Sequence, residues 1–331
     1  MARRRDRAAV NVLDPSPAPP TAPTAPSHTV PGRLAHLVPV LREVGDLKRV
    51  RGAGWRGSVA ERAFRGAWAD LVRGAPVREI ADRECAAAVA GARLAGVDAR
   101  VLRRCGLSPG ATRAVLRRSV AEHAGALGER TLRRLLSAVP LAASQGIRQS
   151  GVAPRFAEVL CDQPRAGATC PGRARLMAEP PESHGDHCWA VAVYGALLAD
   201  LFDADPADAF LLGLGHHLHN VVLPDAGFAG ESLLGEELTG IMDRLTREQL
   251  ARLPGALAGR LDGLLAGRGS ADDASARAFH AADVLDRVLQ VLHHERAAAY
   301  SAVTALDDLH LVHASPVSAF HTAVLDAAGL R

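Results

Sequence analysis

Apolar residues recur at intervals of three and four along most of the chain from about residue 59 onward. This spacing is typical of amphipathic helices, and it occurs in four runs of the first half of the chain. In the second half it predicts helices at about 185–202, 206–220, 230–252, 275–300 and 316–328. Strand-like alternation of β-branched and aromatic residues is missing, and aromatic residues make up only 4% of the chain. The pattern therefore predicts an all-α protein.

Charge divides the chain into two unlike halves. Residues 1–165 contain 28 Lys and Arg against 14 Asp and Glu, whereas residues 166–331 contain 11 against 22. A change of this size is typical of two domains with different surfaces. We therefore predict a basic helical domain at 33–165, a linker at 166–183 and a second helical domain at 184–331.

The first 32 residues differ from the rest of the chain because Pro, Ala, Ser and Thr dominate them. Such a composition buries little apolar surface, so we predict a disordered arm at 1–32. We find no run of 18 apolar residues and no apolar signal-peptide core, so we expect a cytoplasmic protein without a membrane partner. The five cysteines form no CxxC pair and are predicted to be reduced.

Histidines concentrate in the acidic half, where 11 of the 14 lie at or after residue 184. His187 lies near the start of a predicted helix whose apolar stripe continues through it. His216 and His217 follow the apolar run AFLLGLG, and Asp283 lies beside Val and Leu on a later helix. A carboxylate on such a face needs a partner. Imidazole and carboxylate together form binding sites for transition metals.

These three elements, in this order, resemble the HD superfamily of all-α metal-dependent phosphohydrolases, which is named for a consecutive His-Asp pair. The segment DHCWAVAVYGALLADLF supplies His187 for the family's first ligand, and GLGHHLHNVVLPD supplies His216 for the doublet histidine. Asp283 in HAADVLDR matches the family's final Asp. The resemblance covers about residues 183–300. It implies an HD-like helical bundle that hydrolyses a phosphoester or a nucleotide-like small molecule.

The chain departs from the family at His217, which stands where the family has its defining Asp. In the family that Asp can bridge two metal ions, whereas an imidazole offers a single lone pair. We therefore predict one divalent ion, which would be Zn, Fe, Mn or Co. Its predicted ligands are His187, His216, His217 and Asp283.

Phosphoester hydrolysis also needs a proton acceptor and groups that offset negative charge. The candidate acceptors lie close in sequence to the predicted ligands and are Asp186, His219, Asp225 and Glu231. Arg287, on the same predicted helix as the last ligand, is a candidate for contact with phosphate. His184 is predicted to be a surface residue.

Three alternatives remain open. A degenerate HD domain would bind a metal and a ligand or protein partner without turnover, and the missing doublet Asp favours it. A di-iron oxygenase of the same superfamily is less favoured, because its relatives place two extra histidines before the last Asp and residues 220–279 contain none. Nucleic acid could bind the basic N-terminal half, although no base-reading motif is present.

Overall fold

The structure is a computed structural model that describes residues 32–52, 54–144, 152–169, 171–172, 175, 180–270, 272–298 and 325. Within these ranges the chain forms thirteen α-helices, and the β-bridges are isolated pairs. The all-α prediction is thereby confirmed. The predicted arm at 1–32 lies outside the described residues apart from Gly32, and the predicted helix at 316–328 lies outside them apart from Leu325.

Seven helices precede the histidine-rich segment. Several begin where a Ser or Asp side chain accepts a hydrogen bond from a backbone N–H three residues later, as at Ser58, Asp98 and Ser108. These caps fix the helix starts locally. The seven helices are α1 (Leu34–Asp46), α2 (Val59–Val72), α3 (Val77–Leu94), α4 (Ala99–Arg104), α5 (Pro109–Ala121), α6 (Glu129–Ser144) and α7 (Arg155–Asp162).

Six helices follow, and short 3-10 turns extend from two of them. Asp205 caps the second of these helices, with Pro206 at its first position, as the sequence predicts. The helix predicted at 230–252 is interrupted at Gly235, whose φ of 53° breaks it into two. No helix in the described ranges is both long and apolar enough to cross a membrane. The six are α8 (His184–Leu198), α9 (Pro206–Gly215), α10 (Gly227–Leu234), α11 (Glu237–Leu250), α12 (Gly255–Gly267) and α13 (Ala274–Ala298).

Helix α8 is the centre of the core, since every one of its residues is buried. Helices α2, α3 and α7 from the basic half pack against it, as do α9 and α13 from the acidic half. Phe64 and Trp68 of α2 belong to the same hydrophobic cluster as Trp189 of α8 and Phe210 of α9. The helices on the two sides of the predicted linker therefore share one core. The change near residue 165 is a change of charge rather than a boundary between two cores.

Candidate metal centre

Helices α8 and α9 approach each other closely at Gly213. A Cβ atom at this position would lie 2.6 Å from backbone atoms of Ala192, so only glycine fits. The close approach brings His216, at the C-terminal end of α9, to the first turn of α8, where His187 lies. Helix α13 packs against both helices and supplies Asp283. Three helices thus converge on one point.

The two histidines at this point face each other through Nε2. Nε2 of His187 lies 3.2 Å from Nε2 of His216. Nδ1 of His216 lies 2.7 Å from the carbonyl oxygen of Gly213, and Nδ1 of His187 lies 2.9 Å from Oδ2 of Asp286. Because carbonyl and carboxylate oxygens accept hydrogen bonds, each histidine donates from Nδ1. Each therefore directs Nε2 at the centre.

Asp283 adds a carboxylate to this pair, with Oδ1 at 3.3 Å from Nε2 of His187. Burial, and then the charge of His187, hold the pKa of His216 well below its usual range. Burial and Arg165 act to lower the pKa of His187, but hydrogen bonds with Asp283 and Asp286 outweigh them and raise it. Burial opposes ionisation of Asp283, yet the hydrogen bond with His187 holds its pKa below the usual range. Asp283 is therefore ionised beside His187, while His216 stays neutral.

His217 is close to the pair but already has hydrogen-bond partners. Its ring centroid lies 4.2 Å from that of His216 and 5.2 Å from that of His187. Nδ1 lies 2.7 Å from Oδ1 of Asn220, and Nε2 lies 2.8 Å from Nη1 of Arg165. A guanidinium only donates hydrogen bonds, so Nε2 of His217 is the acceptor. His217 can therefore bind a metal through Nε2 only if its hydrogen bond with Arg165 is broken.

The donor set could hold a metal ion. One ligand atom from each of His187, His216 and His217 lies within 4.8 Å of the other two, and Asp283 adjoins them. Imidazole nitrogen and carboxylate oxygen suit Zn, Fe, Mn and Co. Nδ1 of His219 is also buried nearby and has no hydrogen-bond partner among the described residues. The structure thus brings together the four residues that the sequence marks as ligands.

Arg165 is the residue at this centre that the sequence analysis missed. Besides its bond to His217, its Nε lies 3.8 Å from Oδ2 of Asp225. The residue follows α7 in a segment without helix, so no apolar periodicity marks it. A single arginine in an arginine-rich half gives no sequence signal either. Only the fold brings it to the histidines.

Asp186, a predicted proton acceptor, lies in the N-terminal cap of α8. It forms a capping box with Ser183 and accepts a hydrogen bond from the hydroxyl of Ser58. Burial, and then the charge of Glu61, raise the pKa of Asp186 to about 7. No hydrogen bond or ion pair joins it to a histidine in the described part of the chain. The structure thus gives this carboxyl group a role in holding the helix start rather than in the centre.

Asp225, the second predicted acceptor, also accepts hydrogen bonds from backbone N–H groups. Its Oδ2 accepts from the N–H of Ala166 at 3.0 Å, and its Oδ1 accepts from the N–H of Gly227 at 2.9 Å. Burial opposes ionisation of Asp225, but these two hydrogen bonds and Arg165 lower its pKa below the usual range. It therefore remains ionised and anchors the chain next to Arg165.

The other two predicted residues are better placed for chemistry. Nη2 of Arg287 lies 3.1 Å from Oδ2 of Asp283, while its side chain is 57% exposed. His219 is buried, and its ring centroid lies 5.5 Å from that of His217. Burial, and then the charge of Arg268, lower the pKa of His219 to about 4. Arg287 thus offers a positive charge at the rim, and His219 offers a neutral acceptor inside.

His184 corrects one prediction, since it is buried rather than at the surface. Its Nδ1 lies 3.2 Å from the carbonyl oxygen of Gln163, and its ring centroid lies 5.0 Å from that of His217. The prediction was wrong because α8 begins inside the core, so even its first turn is covered by other helices.

This group of residues differs from a set of histidines buried for packing. In a packing role each buried ring nitrogen is paired within the protein. Here Nε2 of His184 and Nδ1 of His219 are buried without a hydrogen-bond partner among the described residues, and both rings lie beside His217. Comparison of the chain with protein-family models, with curated proteins and with solved structures finds no match.

Proposed function

We propose that the chain is an HD-type metal-dependent phosphohydrolase that acts on a phosphoester or nucleotide-like small molecule. The observation that carries this proposal is the 3.2 Å approach of Nε2 of His187 to Nε2 of His216, with Asp283 beside them. These three residues would hold one divalent ion of Zn, Fe, Mn or Co. His217 would join them when it releases Arg165.

A divalent ion held by His187, His216 and Asp283 would supply Lewis acidity and would make a water molecule easier to deprotonate. The side chains around it bind and orient the phosphate. Arg165 contacts His217, and Arg287 contacts Asp283, so each guanidinium adjoins a different predicted ligand. Their planar donors match the geometry of phosphate oxygens. Fixed cations of this kind stabilise the charge that develops during phosphoryl transfer.

His219 is the buried predicted acceptor whose side chain is still free to accept a hydrogen bond. Asp186 and Asp225 are both occupied by hydrogen bonds at backbone turns. His219 is neutral near pH 7, because burial lowers its pKa to about 4, and its Nδ1 has no partner in the described ranges. It would accept a hydrogen bond from the attacking water and orient that water toward phosphorus.

Activity measurements on the full-length protein test the proposal. After loading with Zn, Mn, Fe or Co in turn, we expect hydrolysis of at least one member of a panel of phosphomonoesters and nucleotides. Asp283→Ala should abolish it, and Arg287→Met should raise KM more than it lowers kcat. His280→Ala is the matched control, because His280 contacts only the carbonyl oxygen of Arg268 among its described hydrogen-bond partners. Bound metal without hydrolysis of any panel member would contradict the proposal.

A binding protein without turnover is the second candidate, and the bond between Arg165 and His217 favours it. The guanidinium of Arg165 then occupies the lone pair on Nε2 of His217, the residue that stands where the HD family has its Asp. Titration of the metal-loaded protein with inorganic phosphate would then show binding, while the same preparation would leave the whole panel intact. The oxygenase and nucleic-acid alternatives stay predictions.

A further inference from the structure

Lys48 is the only lysine among 39 basic residues of the chain, and it is buried. It lies in the turn that follows α1. Its Nζ lies 2.5 Å from Oε1 of Glu182 and 2.7 Å from Oδ1 of Asp286. Lysine is rarely buried unless it is paired. The burial of Lys48 therefore depends on these two carboxylates.

Asp286 joins this ammonium group to the candidate metal centre. While its Oδ1 contacts Lys48, its Oδ2 accepts from Nδ1 of His187 at 2.9 Å. An ionised carboxylate cannot donate a hydrogen bond, so the proton of this bond belongs to Nδ1. A carboxylate in contact with the far nitrogen of a ligating histidine fixes its tautomer and ring orientation. Nε2 of His187 is thereby left facing His216.

The ammonium of Lys48 supplies the positive charge that this arrangement needs. Ligand atoms of Glu182, His187 and Asp286 lie within 4.8 Å of one another, so without a cation the buried carboxylate of Asp286 and the partly buried one of Glu182 would lie close together. Without the ammonium the two carboxylates would repel each other, so Asp286 would not keep the position from which its Oδ2 reaches Nδ1 of His187.

We propose that Lys48 is a positioning residue of the metal centre, which holds Asp286 as a hydrogen-bond acceptor and so keeps Nε2 of His187 available to the metal. The inference rests on the proposed metal-dependent function, and in it Lys48 acts on the centre through Asp286. An ammonium is a compact charge that fits between two carboxylates, whereas the planar fork of arginine needs a wider space.

The Lys48→Met variant tests the role, because it removes the charge and keeps an unbranched side chain. We expect the Kd for Zn²⁺, measured by competition with a chromophoric chelator, to rise at least about tenfold. Arg83→Met is the matched control, since Arg83 lies between Asp70 at 2.5 Å and Glu84 at 2.9 Å and is also largely buried. It should lower Tm with less than about a twofold change in Kd. An equal loss of Zn²⁺ affinity in both variants, or no loss in Lys48→Met, overturns the inference.

A double-mutant cycle separates positioning from general damage. Asp286→Asn alone should weaken Zn²⁺ binding, and Lys48→Met should then add nothing further, because its effect passes through Asp286. Additive losses of Zn²⁺ affinity in the double variant would show that Lys48 does not act through Asp286. If Lys48→Met does not fold, ¹⁵N NMR of the metal-free native protein at alkaline pH decides: Nδ1–H is expected on His187, and Nε2–H overturns the inference. Native protein that binds none of Zn, Fe, Mn and Co would instead reject the metal centre, so the two failures are distinguishable.

Discussion

Nε2 of His187 and Nε2 of His216 lie 3.2 Å apart, although each ring already donates from Nδ1 to another acceptor. Two imidazole nitrogens at this distance are joined by a shared proton or by a metal ion. The packing of α8 on α9 at Gly213 imposes the approach. A metal ion that takes the place of the proton adds its binding free energy to the folded state, so metal binding and folding stability should be coupled.

His216→Ala should remove this coupling. A ligand at 100 times its Kd stabilises the folded state by about 2.7 kcal/mol. Zn²⁺ at that excess should therefore raise the free energy of unfolding of the native protein by about this amount and leave that of His216→Ala nearly unchanged. Urea unfolding with and without Zn²⁺ measures the difference. His280→Ala should respond as the native protein does; equal stabilisation of His216→Ala would argue against a centre at this position.

His217→Asp addresses the position at which the chain departs from the HD pattern. A carboxylate there would pair with Arg165, whose Nη1 now lies 2.8 Å from Nε2 of His217. We therefore expect the single variant to keep one bound metal per chain. The double variant His217→Asp/Arg165→Met frees the carboxylate and should take up a second Mn or Fe ion. Elemental analysis of both proteins decides, and a second ion in the single variant would show that Arg165 does not hold this position.

The parts of the fold that follow from local sequence could be predicted, and those that depend on distant contacts could not. Asp205 and Pro206 mark the start of α9 because capping acts within one turn. Helix α12 was missed, because its glycines lower helix propensity in a segment without a strong apolar stripe. Arg165 and Lys48 reach the centre from non-helical segments, where no periodicity reports which way a side chain points.

Asp186 gives the protein a pH-dependent stability that a substitution can remove. Burial, and then Glu61, raise its pKa to about 7, whereas an unfolded Asp titrates near pH 4. The native state therefore binds this proton more tightly, and its contribution to stability is lost as pH rises from about 4 through about 7. Asp186→Asn does not titrate, so its free energy of unfolding should rise relative to the native value across that window. Urea unfolding in the presence of a chelator measures this difference. If the free energy of unfolding depended on pH in the same way in both proteins, the prediction would be contradicted.

Gly213→Ala tests whether the approach of α8 and α9 builds the centre. The new Cβ would lie 2.6 Å from backbone atoms of Ala192, so the helices must separate. Overpacking of this kind costs about 1–3 kcal/mol, which should exceed the gain in helix propensity. Gly263→Ala is the control, because a Cβ there meets no atom within 4 Å, and it should stabilise α12 by up to about 1 kcal/mol. Since separation also moves His216 away from His187, Gly213→Ala should weaken Zn²⁺ binding while Gly263→Ala should not. Unchanged Zn²⁺ affinity in a destabilised Gly213→Ala protein would show that the two histidines find each other without this contact.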